Sequence, residues 1–334
     1  MKAYRLFEWK QPAKLVDIPI PEPEAGQVRI KVAGNGICAS DLHLMHEWEA
    51  SPSHIKIELP MTIGHEVGGY IDKLGPGVIG LELGQGVVVS LAGCGHCRYC
   101  AQGWNNYCLN KGKQVGMGLD GGLAEYVNAP IGSIVPVLSM DPAEAAPFTD
   151  AGLSSYHAVK RVANLLTGGT TVAVIGVGGL GHLAIQELKA ITPAKIIAYD
   201  LNESSLELAK EMGADVCLKS EGDNVEKMSV EVVLDFVGAA ATIKMAAKMI
   251  RPLGHIVVVG RGPGIFEFTH NAMPYGASIS TTFGGSKEEL MELIGLSESG
   301  FVKPHITRFK LDDVEEAYRK LKNGEILGRG VIIP

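Results

Sequence analysis

The chain has no excess of basic charge: 30 Lys and Arg face 37 Asp and Glu, a formal net charge of −7. A mildly acidic surface offers little to a phosphate backbone, so nucleic acid is excluded as an expected partner. An apolar leader is also missing. Lys2, Arg5, Glu8 and Lys10 interrupt the opening residues, which is the wrong pattern for a secretory signal. Nor is there a clean membrane span. The longest charge-free run, Val162–Gln186, contains six glycines and the polar cluster Thr167–Thr171, so a turn between two buried elements explains it better. No internal repeat, low-complexity tract or collagen-like glycine period occurs. Apolar residues at 46% and charged residues at 20% exclude wholesale disorder, and 334 residues predict about two domains. A soluble protein located in the cytoplasm is expected.

Glycine is abundant, at 42 residues, which predicts many tight turns and close backbone approaches in a sheet-rich protein. Cysteine is rare except in one place: Cys94, Cys97, Cys100 and Cys108 fall within 15 residues, and only Cys38 and Cys217 lie elsewhere. A disulfide scaffold would be short, secreted and evenly stapled, so metal binding in a reducing compartment is the better reading. Four thiolates in one short loop can close a tetrahedron around Zn²⁺ and leave no position for substrate, which makes the site structural. Reduced surface thiols or an iron–sulfur cluster are the alternatives, and no other feature asks for electron transfer. His96, inside the loop, could compete as a ligand.

The first 150 residues read as short strands between turns, among them Val28–Val32 and Val87–Val89. After Asp150 the pattern changes. Strands at Thr171–Ile175, Lys195–Tyr199, Glu231–Phe236 and His255–Val259 alternate with helices at Leu180–Ala190, from Asn202 to near Gly213, and at Ala239–Ile250. That alternation predicts βαβ units and a doubly wound parallel sheet. Helices at Lys287–Ser297 and Leu311–Leu321 and a Val331–Ile333 strand complete the prediction.

The Thr171–Ile175 strand runs directly into Gly176-Val177-Gly178-Gly179-Leu180-Gly181, and Asp200 follows Gly181 by 19 residues at the end of the next strand. A lone GxGxxG is weak. Here the strand before, the helix after and the acid at the right spacing are the context of a Rossmann dinucleotide site. The glycines admit a pyrophosphate to the helix N-terminus, and a carboxylate at position 200 repels a 2′-phosphate, which favours NAD over NADP. A glycine turn in some other α/β fold is the alternative.

Cys38, Ser40, Asp41, His43, His65, Glu66 and Asp150 are individually unremarkable, since lone buried His and Cys residues are common. Gly64-His65-Glu66-x2-Gly69-x5-Gly75-x2-Val78, however, has the form of the zinc signature of the medium-chain dehydrogenase/reductase superfamily. Gly36-Ile37-Cys38-Ala39-Ser40-Asp41-x-His43 looks like that superfamily's first metal-ligand segment. With the four-cysteine lobe, the glycine fingerprint and the closing Gly328-Arg329-Gly330-Val331 in the expected order, the whole chain resembles its zinc-dependent alcohol dehydrogenases.

The resemblance implies a mostly β, GroES-like catalytic domain at residues 1–151 and 285–334, with a zinc lobe at 91–110, and a Rossmann NAD-binding domain at 152–284. It implies two Zn²⁺ per chain. Cys38 and His65 are carried over as catalytic-zinc ligands. Asp150, in Pro147-Phe148-Thr149-Asp150-Ala151-Gly152, resembles the subgroup with an aspartate third ligand, because Cys217 lies in the nucleotide-binding half. Glu66 is expected just behind the metal and Asp41 on the other ring nitrogen of His65. Zinc would bind the alcohol oxygen and lower its pKa, hydride would pass to nicotinamide, and the proton would leave through Ser40, the ribose hydroxyl and His43. Leu180 is expected behind the nicotinamide, Ser154 at its carboxamide and Arg329 on the pyrophosphate. Two positions depart from the usual pattern: Ala39, where a basic residue often helps hold the pyrophosphate, and Gly84-Gln85-Gly86, where a Gly-Asp pair is usual.

The implied activity is the NAD-dependent interconversion of primary or secondary alcohols, aliphatic, cyclic or aromatic, with aldehydes or ketones, by a homotetramer. Trp48, Leu91, Leu119 and Phe283 are the expected pocket walls, and no charged clamp for an amino acid or polyol is evident. Polyol and threonine dehydrogenases share the same zinc and fold. A non-catalytic zinc and nucleotide-binding relative would lack Cys38, His65 or the relay, and a zinc-free quinone reductase would not need the lobe cysteines.

Overall fold

A computed structural model describes residues 1–51, 56–220 and 225–334. The chain divides into two compact units: Met1–Asp150 with Gly285–Glu298 and Ile306–Pro334, and Ala151–Gly284 with Ser299–His305. The short Ser299–His305 segment thus joins the second unit.

The first unit is built on a long strand, Gln27–Gly36, whose alternating burial reflects its alternating apolar and polar side chains. It pairs antiparallel with Glu66–Leu74, with Tyr126–Pro130 and with Arg329–Ile333, so the C-terminal strand joins the same sheet, while the N-terminal strand Lys2–Leu6 lies in a separate three-stranded sheet. Val28, Ile30, Val67, Ile71, Val87 and Val127 form a core on this sheet. A second core of Tyr4, Leu6, Ile37, Leu44, Met61, Ile63 and Tyr318 packs the N-terminal strand against the Ala39–His46 and Val314–Lys322 helices.

The second unit is a six-stranded parallel sheet. Its strand order is Val216–Lys219, Lys195–Asp200, Thr171–Ile175, Val230–Asp235, Ile250–Val258 and Ser278–Thr281. Numbered along the unit this is 3-2-1-4-5-6, the doubly wound order that places a ligand crevice beyond the C-terminal end of the first strand. The strand cores are near-continuous Val, Ile and Ala, as expected of a sheet covered on both faces.

The Ala151–Val162 helix has no counterpart in the sequence-based prediction. It is buried at Ala151–Val159 and again at Val162, with Ser154, Ser155 and His157 among the buried side chains. The helix over Glu203–Glu211 has Asn202 at its N-cap, but the Asn202 side chain makes no cap bond; its N–H donates to Asp200 instead. Among the described residues, no helix is long and apolar enough to cross a membrane.

Candidate active site

Among the described residues, two groups of side chains that could hold a metal ion occur in the first unit, and within each the ligand atoms lie within 4.8 Å of one another. The first is Cys94, Cys97, Cys100 and Cys108. The loop that carries them turns its own backbone onto the sulfurs: Cys94 N–H donates to Cys108 Sγ and Cys97 N–H to Cys94 Sγ, each at 3.3 Å. The Cys100 backbone N–H leads the contacts that pull the Cys97 thiol down to about 6. Gln114 holds the base of the loop, donating to Ala92 O at 2.9 Å and accepting from Ala92 N–H at 2.7 Å. Four soft donors in a closed set fit a structural Zn²⁺.

The second group is Cys38, His65, Glu66 and Asp150, drawn from three separate stretches of chain. Cys38 sits at the N-cap of the Ala39–His46 helix, His65 and Glu66 at the start of the Glu66–Leu74 strand, and Asp150 at the end of a short 3-10 turn. The Cys38 thiol donates to Asp150 Oδ2 at 3.2 Å, and His65 Nε2 lies 3.5 Å from the same oxygen. His65 Nδ1 points the other way, to Asp41 Oδ1 at 3.1 Å, which leaves Nε2 for the cluster. Burial works against charge on the His65 ring, but Asp41, Asp150 and Cys38 outweigh it and hold the pKa well above its usual value. One thiol, one imidazole and one carboxylate converging with a second carboxylate behind them suit a catalytic Zn²⁺ with an open position.

Glu66 is wholly buried and pairs with Arg329, whose Nη2 and Nε reach its two oxygens. Arg329 Nη2 also lies 3.6 Å from Asp150 Oδ2. Arg329, the residue expected on a pyrophosphate, lies between these two carboxylates, with a side chain only 5% exposed. No sequence signal pointed to this pair or to Tyr318, whose hydroxyl bonds Asp41.

Ser40 and His43 share one face of the Ala39–His46 helix. Ser40 Oγ is 3.3 Å from His65 Nε2, while His43 is 40% exposed and pairs with Glu47 at 2.7 Å. A small pocket opens on the cluster, lined by His65, Asp150, Leu91, Val89, Val115 and Thr149, with Ser90 and Gln114 completing it. Of the expected walls, Leu91 is there. Leu119 lines a different groove beside Asp120 and Tyr126, Trp48 packs on the core around Leu44, and Phe283 belongs to the second unit, 46% exposed. The strand positions at Val89 and Val115 carry no sequence signal that separates pocket wall from core.

In the second unit the glycine fingerprint forms the turn between the Thr171–Ile175 strand and the Gly181–Ile191 helix. Gly176 has φ +87°, and a Cβ on Gly181 would lie 1.9 Å from Gly176 O, so neither position admits a side chain. A Cβ at Gly178 would meet nothing within 4 Å, which leaves the turn open where a phosphate would lie. Asp200 Oδ2 accepts Val177 N–H at 2.7 Å, which fixes the carboxylate beside the loop. His182 donates from Nδ1 to Gly178 O at 2.9 Å and accepts His305 N–H at 3.2 Å; burial holds its pKa down to about 4, so it is neutral. Gly179 and Leu180 complete the turn, and Ser154 is 9% exposed on the Ala151–Val162 helix. This cradle fits a dinucleotide.

Comparison with known proteins finds two family models along the chain. Residues 24–139 match the alcohol dehydrogenase GroES-like domain, and residues 179–299 match the zinc-binding dehydrogenase family. An NAD-dependent alcohol dehydrogenase of Sulfurisphaera tokodaii is 33% identical over all of both chains. The crystal structure of an alcohol dehydrogenase from the hyperthermophilic archaeon Aeropyrum pernix superposes with a TM-score of 0.92 at 35% identity, over all of both chains. An acetophenone reductase from Geotrichum candidum, solved in complex with NAD, gives a TM-score of 0.89 at 32% identity, covering 100% of this chain and 97% of that one.

Proposed function

The chain belongs to the zinc-dependent alcohol dehydrogenases of the medium-chain dehydrogenase/reductase superfamily, and on that premise we propose that it interconverts primary or secondary alcohols with aldehydes or ketones using NAD. The observation that carries this reading is the convergence of Cys38, His65 and Asp150, the last two lining a small pocket with apolar Val89, Leu91 and Val115. When bound, zinc supplies a Lewis acid that lowers the pKa of a substrate hydroxyl, and the nicotinamide ring accepts the hydride.

The chain's own residues do the rest. Cys38, His65 and Asp150 hold the metal and leave one position open. Glu66 stands behind it, restrained by Arg329, and Asp41 fixes the His65 tautomer. Ser40 would accept the hydroxyl proton while passing its own to the nicotinamide-ribose hydroxyl, and His43, one helical turn on and partly exposed, would take the proton from there and deliver it to solvent. Gly176, Gly178, Gly179, Leu180 and Gly181 cradle the dinucleotide, with Asp200 on the adenosine ribose and Ser154 at the carboxamide. The Val89, Leu91 and Val115 walls suit aliphatic, cyclic or aromatic substrates over polyols.

We place the protein in the cytoplasm, where its six unpaired cysteines would stay reduced. A homotetramer is proposed because the Ser278–Thr281 strand edges its sheet, close in sequence to exposed Tyr275, which accepts the N–H of exposed Leu253. Sedimentation analysis checks the assembly. The decisive assay is turnover with NAD⁺ on 2-alkanols, cyclohexanol, benzyl alcohol, sorbitol and threonine. Activity confined to sorbitol or threonine would overturn the substrate class.

A further inference from the structure

Asp41 is a wholly buried carboxylate on which three donors converge: the Cys38 backbone N–H at 3.0 Å, the His65 ring at 3.1 Å and the Tyr318 hydroxyl at 2.9 Å. A buried carboxylate without solvent depends on such donors, and losing any one leaves acceptor capacity unmet. The first two donors belong to the metal-site segments themselves. Tyr318 comes from the Val314–Lys322 helix, 277 residues further along the chain. It is 4% exposed, and its ring stacks on Tyr4 with centroids 6.2 Å apart and planes 22° apart. Packing therefore aims the hydroxyl. Phenylalanine would fill the same space and stack on the same ring, so packing alone gives no reason for a phenol at position 318. Burial first, and then the Asp41 charge, push the phenol well above its usual range, so it remains a donor.

We propose that Tyr318 is a positioning residue for the catalytic metal: its O–H fixes Asp41, Asp41 fixes the plane and tautomer of His65, and the C-terminal helix thereby sets how firmly His65 holds the ion. The inference rests on Cys38, His65 and Asp150 being a zinc site. Partners that orient a metal-ligating histidine typically matter 10- to 100-fold in metal affinity, and Tyr318 acts one bond further out, so an effect of about tenfold is expected. A Tyr318 that only satisfies its own buried hydroxyl would affect folding and leave the metal alone.

The test is zinc release from the holoenzyme to the chelator 4-(2-pyridylazo)resorcinol, for wild type, Tyr318→Phe and Tyr4→Leu. Tyr318→Phe should release the Cys38–His65–Asp150 zinc about tenfold faster and leave the four-cysteine zinc unchanged, with a modest fall in melting temperature from the unmet Asp41 oxygen. Its Co²⁺-substituted form should show shifted d–d bands. Tyr4→Leu should lower the melting temperature without that selective release. Identical kinetics and cobalt spectra in wild type and Tyr318→Phe would overturn the inference alone. So would an equal acceleration of both zincs, which marks general loosening. A wild type that holds zinc only in the lobe would overturn the metal-site reading and this inference together.

Discussion

In the second unit the cofactor cradle lies between Gly176 and Asp200, on one strand–turn–helix–strand run. In the first unit the side chains around Cys38 come from positions 38–43, 65–66, 150, 318 and 329. The four-cysteine lobe, also in the first unit, resembles the cradle in being local. A local site is held by its own loop: Cys97 N–H bonds Cys94, and Val177 N–H bonds Asp200. A dispersed site is held by the fold, through strand pairing that brings Gly36 beside Glu66 and beside Val331. Local sites should therefore fail by loosening their loops, whereas the dispersed one should fail in its chemistry or by leaving a buried charge unpaired.

The largest expected effect breaks the comparison most directly. Cys38→Ser removes a ligand from the dispersed cluster, and turnover should fall by about a thousandfold or more, because several kcal/mol of Lewis-acid stabilisation are lost at about 1.36 kcal/mol per decade. The fold should survive. Cys97→Ser opens the lobe, where metal binding counts as folding energy, so melting temperature should drop while turnover per zinc-loaded catalytic site stays close to wild type. Melting temperature, zinc content and turnover on both proteins decide it; near-normal turnover in Cys38→Ser would mean the two sites have exchanged roles.

Next in size is Arg329→Leu. It strands Glu66, which has no exposed surface, and breaking a buried pair from one side costs about 3–5 kcal/mol. Urea unfolding should show that loss, and the double variant with Glu66→Gln should recover much of it. A single variant as stable as wild type would show that the pair is dispensable to the fold.

The local sites were legible in the sequence because their spacing is itself the signal: the four cysteines, and GxGxxG with Asp200 at the next strand end. Cys38, His65 and Asp150 were reached only through resemblance, since nothing in the spacing of 38, 65 and 150 marks them as neighbours. The pairing of Arg329 with Glu66 and the bond from Tyr318 to Asp41 join residues 263 and 277 positions apart, a separation no local pattern encodes. The Ala151–Val162 helix escaped for another reason: its polar Ser154, Ser155 and His157 are buried together with its apolar residues, so its burial does not follow its polarity.

A smaller effect sharpens the local side of the comparison. Asp200→Gly removes the proposed ribose acceptor and the acceptor of Val177 N–H, so NAD⁺ binding should weaken roughly tenfold, the scale of one hydrogen bond to a charged group. The preference for NAD⁺ over NADP⁺ should narrow with it. Fluorescence titration with NADH and NADPH checks both. An unmodified enzyme equally efficient with NADP⁺ would show that Asp200 does not face the ribose.

The smallest effect concerns a second wholly buried glutamate, Glu187 on the Gly181–Ile191 helix, which pairs with no arginine among the described residues. Its Oε1 lies 3.0 Å from Ser155 Oγ, and that hydroxyl is also 3.0 Å from Ala151 O and 2.9 Å from Gly152 O. Serine has one proton; given to a backbone carbonyl, it leaves Ser155 Oγ to accept from a protonated Glu187. Oε2 finds no hydrogen-bond partner among the described residues, as suits a neutral acid. Burial pushes the Glu187 carboxyl well above its ordinary value of 4.5. The folded chain then keeps a proton that the unfolded chain releases above 4.5, so this group's contribution is complete below that pH and is lost as pH rises toward the folded value. Glu187→Gln keeps the shape and removes the titration. It should match wild type near pH 4 and exceed it by roughly 1–3 kcal/mol at about pH 8, the range for a buried polar group relieved of desolvation. Urea unfolding at the two pH values measures the gap. A gap that does not change with pH would mean Glu187 is charged in the fold, held by a partner as Glu66 is held by Arg329.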